Sequence, residues 1–194
     1  MVKEQLIHNM RMRCVPKCFT NLADHMLSGF STRLQFDNYV SDPIPLDNGT
    51  IQGDPSLMLF YSFYNVPLLE TARGCNKLFA GFVDNSMMLA IGNNLAECHE
   101  KLKDMMKKPG GGFKWSHTHN SSCKISKIVL MNFPCLHRDT TPSDLILDIP
   151  NLDGSVDTSS TRGVNSYKYL GVIFNLGLKW TLQHTKVTAS ATFW

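Results

Sequence analysis

The sequence predicts an α+β fold in which helices pack on a small, mainly antiparallel sheet. Apolar residues recur at helical spacing in several stretches, and two apolar runs within 79–91 are joined by a short turn. Short extended segments follow the first helical stretches. With 194 residues, 43% of them hydrophobic, the chain is long enough for one core. We therefore expect a single domain over 1–194, with a polar surface excursion at about 134–165.

Two helices are predicted in the first 30 residues. The segment 2–12 has apolar residues at helical spacing, and so does the segment after Pro16. Pro16 fits the first turn of the second helix, and Gly29 is expected to end it with a left-handed backbone. Two extended segments then flank an expected Asp37-Asn38 turn. The apolar stripe of the second helix consists of Phe19, Leu22, Ala23 and Met26.

The segment Gly53-Asp54-Pro55 predicts the start of a third helix. Asp54 can accept hydrogen bonds from free backbone amides, and Pro55 fits the first helical position. The apolar segment that follows is expected to continue this helix and to end before Pro67.

Two apolar runs, 79–83 and 87–91, predict an antiparallel hairpin. The residues between them, Asp84 and Asn85, are of the kind that two-residue turns prefer. We therefore expect Asp84-Asn85 at the turn of this hairpin.

The rest of the chain is predicted with fewer elements. Asn94 and Glu97 have the spacing of a capping box before another helix. A strand is expected at 124–133, and the polar stretch after it contains one short extended piece, LILDI. The last predicted element is a strand at 167–174.

Charge and cysteine content limit the classes of function. A formal net charge of +3 is compatible with a phosphate-rich partner but is far below that of a basic tail. The six cysteines contain no Cys-x-x-Cys pair and the N-terminal residues have no apolar leader pattern, so we expect reduced thiols. An intracellular protein, in the cytoplasm or nucleus, is therefore expected. The apolar stretch 57–69 is too short to span a bilayer, so no membrane partner is expected.

Two segments together suggest nucleotidyl transfer. Such a site needs a carboxylate at the tip of a rigid hairpin, which holds Mg²⁺ against the triphosphate and the attacking hydroxyl. It also needs a close backbone approach to the template-primer, which glycine permits. Asp84 and Gly53 meet these needs in the order glycine loop, helix, hairpin. Each alone is typical of an ordinary turn or helix cap, and their order favours a polymerase palm.

The residues that carry this pattern resemble the reverse-transcriptase domain of non-LTR (LINE-type) retrotransposons, of a fungal-like kind. IQGDPSLMLFYSFYN resembles motif B of that family, and FVDNSMMLA resembles motif C, an aromatic-x-Asp-Asp motif. The residues before them resemble the region between motifs A and B, KWSHTHNSSCKISKIVLMNF resembles the stretch through motif D, and SYKYLGVIFNLGLKW resembles the strand after it. This resemblance covers almost the whole chain. It implies a polymerase-palm-like sheet and an RNA or DNA template-primer as partner.

The resemblance also implies roles for individual residues. Asp84 corresponds to the metal ligand of motif C, and Lys127 corresponds to the motif D lysine near the leaving pyrophosphate. Gln52 and Gly53 correspond to residues against the templating or incoming base. The residues that correspond to support of the primer strand are Tyr169, Leu170 and Gly171.

The sequence departs from the family at its catalytic positions. Asn85 replaces the second carboxylate of motif C, and an amide brings no charge to offset two Mg²⁺ ions. The matching residues begin downstream of the motif A aspartate and end where a thumb begins. We therefore expect a partial palm, without motif A, fingers or thumb, that binds template-primer weakly and does not polymerise. Mg²⁺ is implied by the family rather than by this site.

Two other patterns have more ordinary explanations. His117, His119 and Cys123 have zinc-like spacing but no fourth ligand nearby, which favours a structural or surface role. Several basic residues are available to a phosphate backbone, and solvated helix faces explain them equally well. These residues are Arg11, Arg13, Lys17, Lys101, Lys103, Lys107, Lys108 and Lys114. The alternative function is therefore a non-enzymatic nucleic-acid-binding or protein-interaction module.

Overall fold

The computed structural model describes residues 1–46, 53–121, 127–134, 144–150 and 156–191. Helices and small antiparallel sheets follow one another along these residues, so the chain is α+β. The helices are α1 (Lys3–Met12), α2 (Lys17–Met26), α3 (Ser56–Leu69), α4 (Leu95–Lys107), α5 (Gly112–Thr118) and α6 (Thr181–Ala191). The strands are β1 (Ser31–Thr32), β2 (Gln35–Phe36), β3 (Tyr39–Val40), β4 (Ile44–Pro45), β5 (Lys77–Phe82), β6 (Asn85–Ala90), β7 (Leu145–Pro150), β8 (Val156–Thr161), β9 (Ser166–Tyr169) and β10 (Val172–Asn175).

The chain forms two compact units. Unit 1 consists of Met1–Leu89 and Met105–Ser122, and unit 2 consists of Ala90–Asp104 and Cys123–Trp194.

The core of unit 1 is formed by α1, α2 and α3. Leu6, Ala23 and Tyr64, one residue from each helix, are almost completely buried. The predicted spacing of α1 is confirmed, because Leu6 and Met10 both face this core. The whole buried cluster consists of Leu6, Ile7, Met10, Ala23, Phe60 and Tyr64.

α2 packs on the core through a different face from the one predicted. Thr20 and Ala23 are buried, whereas Phe19 and Leu22 are 58% and 54% exposed. The Thr20 hydroxyl donates to Lys17 O (3.0 Å), so its burial leaves no donor unpaired. The predicted stripe was wrong for Phe19 and Leu22, because helical spacing defines a face without showing which of two adjacent faces meets the core.

Residues 31–45 form a nested hairpin, in which β2 pairs with β3 and the outer strands β1 and β4 pair with each other. The predicted Asp37-Asn38 turn joins the inner strands, and Asp37 has a left-handed φ of 51°. Phe36 is paired with Tyr39, and their ring centroids are 5.0 Å apart. This aromatic pair stabilises the inner strands across the ladder.

α3 begins at Ser56, one residue after the expected first position Pro55, and the predicted role of Asp54 at its start is observed. Asp54 Oδ1 accepts hydrogen bonds from Ser56 Oγ (2.7 Å) and Ser56 N (2.8 Å). These two bonds hold the pKa of Asp54 below its ordinary value. The helix continues through Pro67, past its predicted end. A proline this close to the end of a helix disturbs only the last turn.

β5 and β6 pair as the predicted hairpin, but the turn lies one residue earlier than expected. Val83 and Asp84 form the turn, and Asn85 is the first residue of β6. Val83 has φ 55°, which a β-branched residue rarely adopts. Its carbonyl oxygen accepts a hydrogen bond from Asn65 Nδ2 of α3 (2.6 Å), and this bond fixes the shifted turn.

α4 begins with the predicted Asn94–Glu97 cap, although the return bond of the Glu97 side chain reaches Asn93 N instead of Asn94 N. Asn94 Oδ1 accepts from Glu97 N (2.8 Å), and Glu97 Oε2 accepts from Asn93 N (2.8 Å). Lys101 Nζ lies 2.6 Å from Glu97 Oε1. This bond, together with the one from Asn93, holds the pKa of Glu97 below its ordinary value. The short α5 was not predicted, because its 7 residues give too little periodicity to recognise.

The stretch expected to be an irregular excursion, 134–165, contains a regular hairpin. β7 and β8 are antiparallel and paired over six residues each, from Leu145↔Thr161 to Pro150↔Val156. Leu145 and Leu147 are buried on one face, and Ser160 Oγ donates to Asp144 Oδ2 (2.8 Å). The second strand was missed because its residues are polar. Its Val and Thr side chains nevertheless favour extended backbone.

The strand expected at 124–133 is not formed in its described part, which begins at Lys127. Leu130 makes one isolated parallel bridge with Gly163, and Val164 N donates to Leu130 O (2.9 Å). Leu130 is nevertheless buried, whereas its neighbour Val129 is exposed, so one residue of this apolar run is buried without joining a sheet.

The strand expected at 167–174 is a hairpin instead. β9 and β10 pair from Tyr169↔Val172 to Ser166↔Asn175, and Leu170-Gly171 is their turn. Leu170 has φ 47° and Gly171 has φ 89°, which are the left-handed values that a type I′ turn needs at both positions. Leucine is an unusual residue for such a turn. The turn was therefore not predicted, because Leu170 continues the apolar run on either side of it.

Within the described segments, no helix combines the length and the apolar run needed to cross a bilayer. Cys14, Cys18, Cys75 and Cys98 are free thiols, and the first three are exposed.

Candidate nucleotidyl-transfer site

Asp84 lies in the turn between β5 and β6 with its side chain exposed to solvent. Asn85 Nδ2 donates to Asp84 Oδ1 (3.1 Å), so the neighbouring amide offers a donor where the resembled family has a second carboxylate. This pair therefore presents one negative charge to a ligand.

α3 contacts the β5–β6 hairpin next to this turn at two places. Besides the bond between Asn65 and Val83, a Cβ added at Gly81 would lie 3.2 Å from Leu69 Cδ2. That distance is tighter than ordinary van der Waals contact, so α3 and β5 approach closely because position 81 is glycine. The hairpin backbone is thus held on α3 near its tip.

Gly53 lies at the other end of α3 from this turn. Its φ is 92°, a left-handed value that glycine adopts without strain, and its surface is exposed. Asn65, which contacts the turn, comes ten helical residues after Pro55, which is about 15 Å along the axis. The structure therefore does not bring Gly53 against Asp84. Gln52, the other residue expected at the base, lies outside the described residues.

The remaining resemblance-derived residues belong to unit 2. Lys127 is exposed. Tyr169 is half-buried at the end of β9, and burial raises the pKa of its hydroxyl. Leu170, 50% exposed, and Gly171 form the hairpin turn described above. Their roles at a primer strand stay predictions.

The three residues with zinc-like spacing at 117–123 do not share one environment, because one of the two that the structure describes is exposed and the other is buried. His117 is exposed, His119 is only 6% exposed, and Cys123 lies outside the described residues. Over the parts of the chain that the structure describes, no group of three or more His, Cys, Asp or Glu side chains is placed to hold a metal ion.

An aromatic cluster that the sequence did not reveal surrounds His119. Its ring stacks on Trp115 (centroids 4.5 Å apart) and meets the edge of Tyr64 (4.8 Å). The Tyr64 hydroxyl donates to His119 O (2.7 Å) and accepts from Val2 N (3.1 Å). Burial lowers the pKa of His119, and a hydrogen bond to Trp115 O opposes this effect. One weak indication of this cluster was present in the sequence: Trp115 and His119 are four residues apart, a spacing that brings two side chains together on a helix.

Several basic residues considered for phosphate contacts are already engaged within the protein. Arg13 pairs with Glu70 (2.8 Å), Lys101 with Glu97 (2.6 Å) and Lys103 with Glu100 (2.8 Å). Lys108 donates to Thr71 O. Lys17 and Lys114 are exposed.

Comparisons with protein-family models, with curated protein sequences and with solved structures return no match to this chain.

Proposed function

We propose that the chain is a fragment of the reverse-transcriptase palm of a non-LTR retrotransposon and that it does not catalyse nucleotide addition. The observation that carries this proposal is the order of three features in unit 1. A left-handed Gly53 precedes α3, α3 packs on β5, and an exposed Asp84 occupies the hairpin turn. The sequence around each feature resembles the corresponding motif of that family.

Support from α3 is what a metal-binding hairpin requires. A carboxylate that positions an ion must be held by a rigid element whose own side chains are fixed by packing. The hydrogen bond from Asn65 to Val83 and the close approach of Leu69 to Gly81 supply such support directly beside Asp84.

Catalytic inactivity follows from the charge of the turn. Two Mg²⁺ ions bring four positive charges to a nucleotidyl-transfer centre, and its carboxylates must offset much of that charge. Here Asp84 contributes one negative charge, and its neighbour Asn85 offers an amide N–H. In this proposal the residues at the turn do not fit a two-metal centre, and any binding of template-primer is weak and non-specific.

Primer extension tests both parts of the proposal. The wild-type chain and Asn85→Asp should extend no primer with Mg²⁺ or Mn²⁺. A longer chain that supplies the fingers, a motif A strand with its aspartate and a thumb, combined with Asn85→Asp, should gain metal-dependent synthesis that Asp84→Asn abolishes. Synthesis by the wild-type chain would overturn the inactivity. A folded but inactive extended variant would count against descent from a palm.

A protein-interaction module is the second candidate function, and the nested hairpin favours it. Four of its apolar side chains are more than half exposed: Leu34 (54%), Phe36 (59%), Tyr39 (54%) and Val40 (51%). Phe36 and Tyr39 are a cross-strand pair on one face of the hairpin. An exposed apolar pair of this kind is typical of an interaction site. Sedimentation of the wild type and of Phe36→Ser/Tyr39→Ser over a concentration series would separate the candidates. Self-association that the double substitution removes would favour the interaction module.

A further inference from the structure

The turn between β5 and β6 has a backbone conformation that its own residues disfavour. Val83, the first turn residue, has φ 55°, whereas the φ of Asp84 is not positive. A positive φ at the first turn position alone is typical of a type II′ turn, where glycine is favoured and a β-branched residue is strained. One position later, Asp84-Asn85 could form a type I′ turn, in which Asp and Asn are among the favoured residues.

The two turns define two registers of the hairpin. In the observed one, the first register, Phe82 lies opposite Asn85 and the two residues between them form the turn. In the second register Val83 lies opposite Ser86, and β6 is displaced by two residues along β5. Because side chains alternate between the faces of a strand with period 2, a displacement by two residues leaves every side chain on its own face. Phe79 therefore stays on the buried face in both registers.

The preferences of the individual residues favour the second register. It places Val83 in a strand, where β-branched residues are favoured, and removes the left-handed φ of this residue. It also pairs the exposed Phe82 with Met87, whereas the first register pairs Phe82 with the polar Asn85. The observed turn therefore needs support from outside the hairpin.

Asn65 of α3 supplies this support. Its Nδ2 donates to the carbonyl oxygen of Val83 (2.6 Å). In the first register this carbonyl belongs to the turn and is free to accept from Asn65. In the second register the same carbonyl accepts from Ser86 N within the ladder, so the bond from Asn65 is lost. The net contribution of one hydrogen bond and the cost of one left-handed β-branched residue are of similar size, so this bond is sufficient to decide between the registers.

We propose that the β5–β6 hairpin is a two-register device in which Asn65 selects the first register. β5 stays on α3 in both registers, because Gly81 packs closely beside Leu69. β6 is the strand that slides, and the slide moves Asp84 from the second to the first position of the turn. A ligand that binds Asp84 more tightly in one register than in the other shifts the hairpin toward that register.

Nuclear magnetic resonance of the isotope-labelled chain distinguishes the two registers. In the first register Leu78 and Leu89 form a hydrogen-bonded pair, so their amide hydrogens lie close together. In the second register Ala80 and Leu89 form a non-hydrogen-bonded pair, so their Hα atoms lie close together. The wild type should show mainly the amide contact. In Asn65→Ala the ratio of the two contacts should change by at least about fivefold in favour of the Hα contact, as expected for the loss of one hydrogen bond.

Val83→Gly separates the strain at the turn from the hydrogen bond. Glycine adopts a left-handed φ without strain, so Val83→Gly/Asn65→Ala should keep the first register. Val83→Gly alone should raise the urea midpoint of unit 1, and this measurement remains possible if Asn65→Ala does not fold. The matched control is Ser62→Ala, which removes a hydroxyl group that donates to Met58 O within α3 and should leave the register unchanged.

Four results would overturn this role of Asn65. An unchanged ratio of the two contacts in Asn65→Ala would show that the rest of the hairpin determines the register. Loss of both contacts in that variant would show that Asn65 holds the strands together without selecting a register. The second register in Val83→Gly/Asn65→Ala, or a lower urea midpoint for Val83→Gly, would show that strain at Val83 does not drive the exchange.

Discussion

Tyr64 provides the most direct test of how unit 1 is held together. Its ring is 1% exposed, and its hydroxyl group connects α3 with two distant segments by accepting from Val2 N and donating to His119 O. Tyr64→Phe keeps the ring and removes both hydrogen bonds. The substitution leaves the carbonyl of His119 without this donor inside the core. The amide of the half-buried Val2 can be hydrated after small movements.

The expected loss of stability follows from the two groups that lose a hydrogen bond, the carbonyl of His119 and the amide of Val2. A buried polar group left without its partner costs about 1–3 kcal/mol. The carbonyl contributes most of this cost and the amide adds less, so Tyr64→Phe should destabilise unit 1 by about 1.5–3 kcal/mol.

The assay must report on unit 1 alone, because two units need not unfold in one step. Of the three tryptophans, only Trp115 belongs to this unit, where it stacks on His119. In a Trp180→Phe/Trp194→Phe background, urea unfolding followed by fluorescence therefore measures the stability of unit 1.

The matched control is Tyr61→Phe. The Tyr61 ring meets that of Tyr64 edge-on, with centroids 6.4 Å apart, and its hydroxyl has no hydrogen bond among the described contacts. This variant should lose less than about 0.5 kcal/mol. Equal losses for the two variants, or a loss below 0.5 kcal/mol for Tyr64→Phe, would refute the role given to the Tyr64 hydroxyl.

Two further predictions concern one site in each unit. Burial lowers the pKa of His119 below its ordinary value of 6.5, so its contribution to stability is complete above pH 6.5 and is lost as the pH falls through the folded-state pKa. When the pH is lowered from 7.5 to 5.5, the urea midpoint of unit 1 should therefore decrease in the wild type and in His117→Gln, and should decrease less in His119→Gln. The same decrease in all three proteins would contradict this. In unit 2, Gly171→Ala places a side chain at φ 89° and should cost about 1–2 kcal/mol. Gly177→Ala, which meets its nearest atoms at an ordinary 3.6 Å, should cost less; equal thermal shifts of the two variants would argue against a strained turn.

The predictable parts of the fold are those determined by residues close in sequence. The Asp54 cap, the Asn94–Glu97 cap and the Asp37-Asn38 turn each depend on residues within four positions of each other. The local chemistry of these residues has one favourable arrangement, and that arrangement is the observed one.

The remaining features depend on contacts between distant residues. The β5–β6 turn is displaced from the favoured Asp84-Asn85 pair by a bond from Asn65, which lies 18 residues before Val83. Gly53 and Asp84 are separated by most of α3, a separation that the order of motifs does not reveal. The packing of α6 beside β10 likewise includes a bond between residues ten positions apart, from Ile173 N to Gln183 Oε1.

The sheets of the described chain have a consequence for how the protein folds. Each is two-stranded, and each joins strands that are near neighbours in sequence. Short loops close quickly and at little entropic cost, so these ladders should form early and nearly independently of one another. The same locality makes them easy to open, since an isolated two-stranded hairpin is marginally stable in water. Amide hydrogens of β2, β3, β9 and β10 should therefore exchange with solvent well before those of α1 and α3, whose burial makes their opening the slow event.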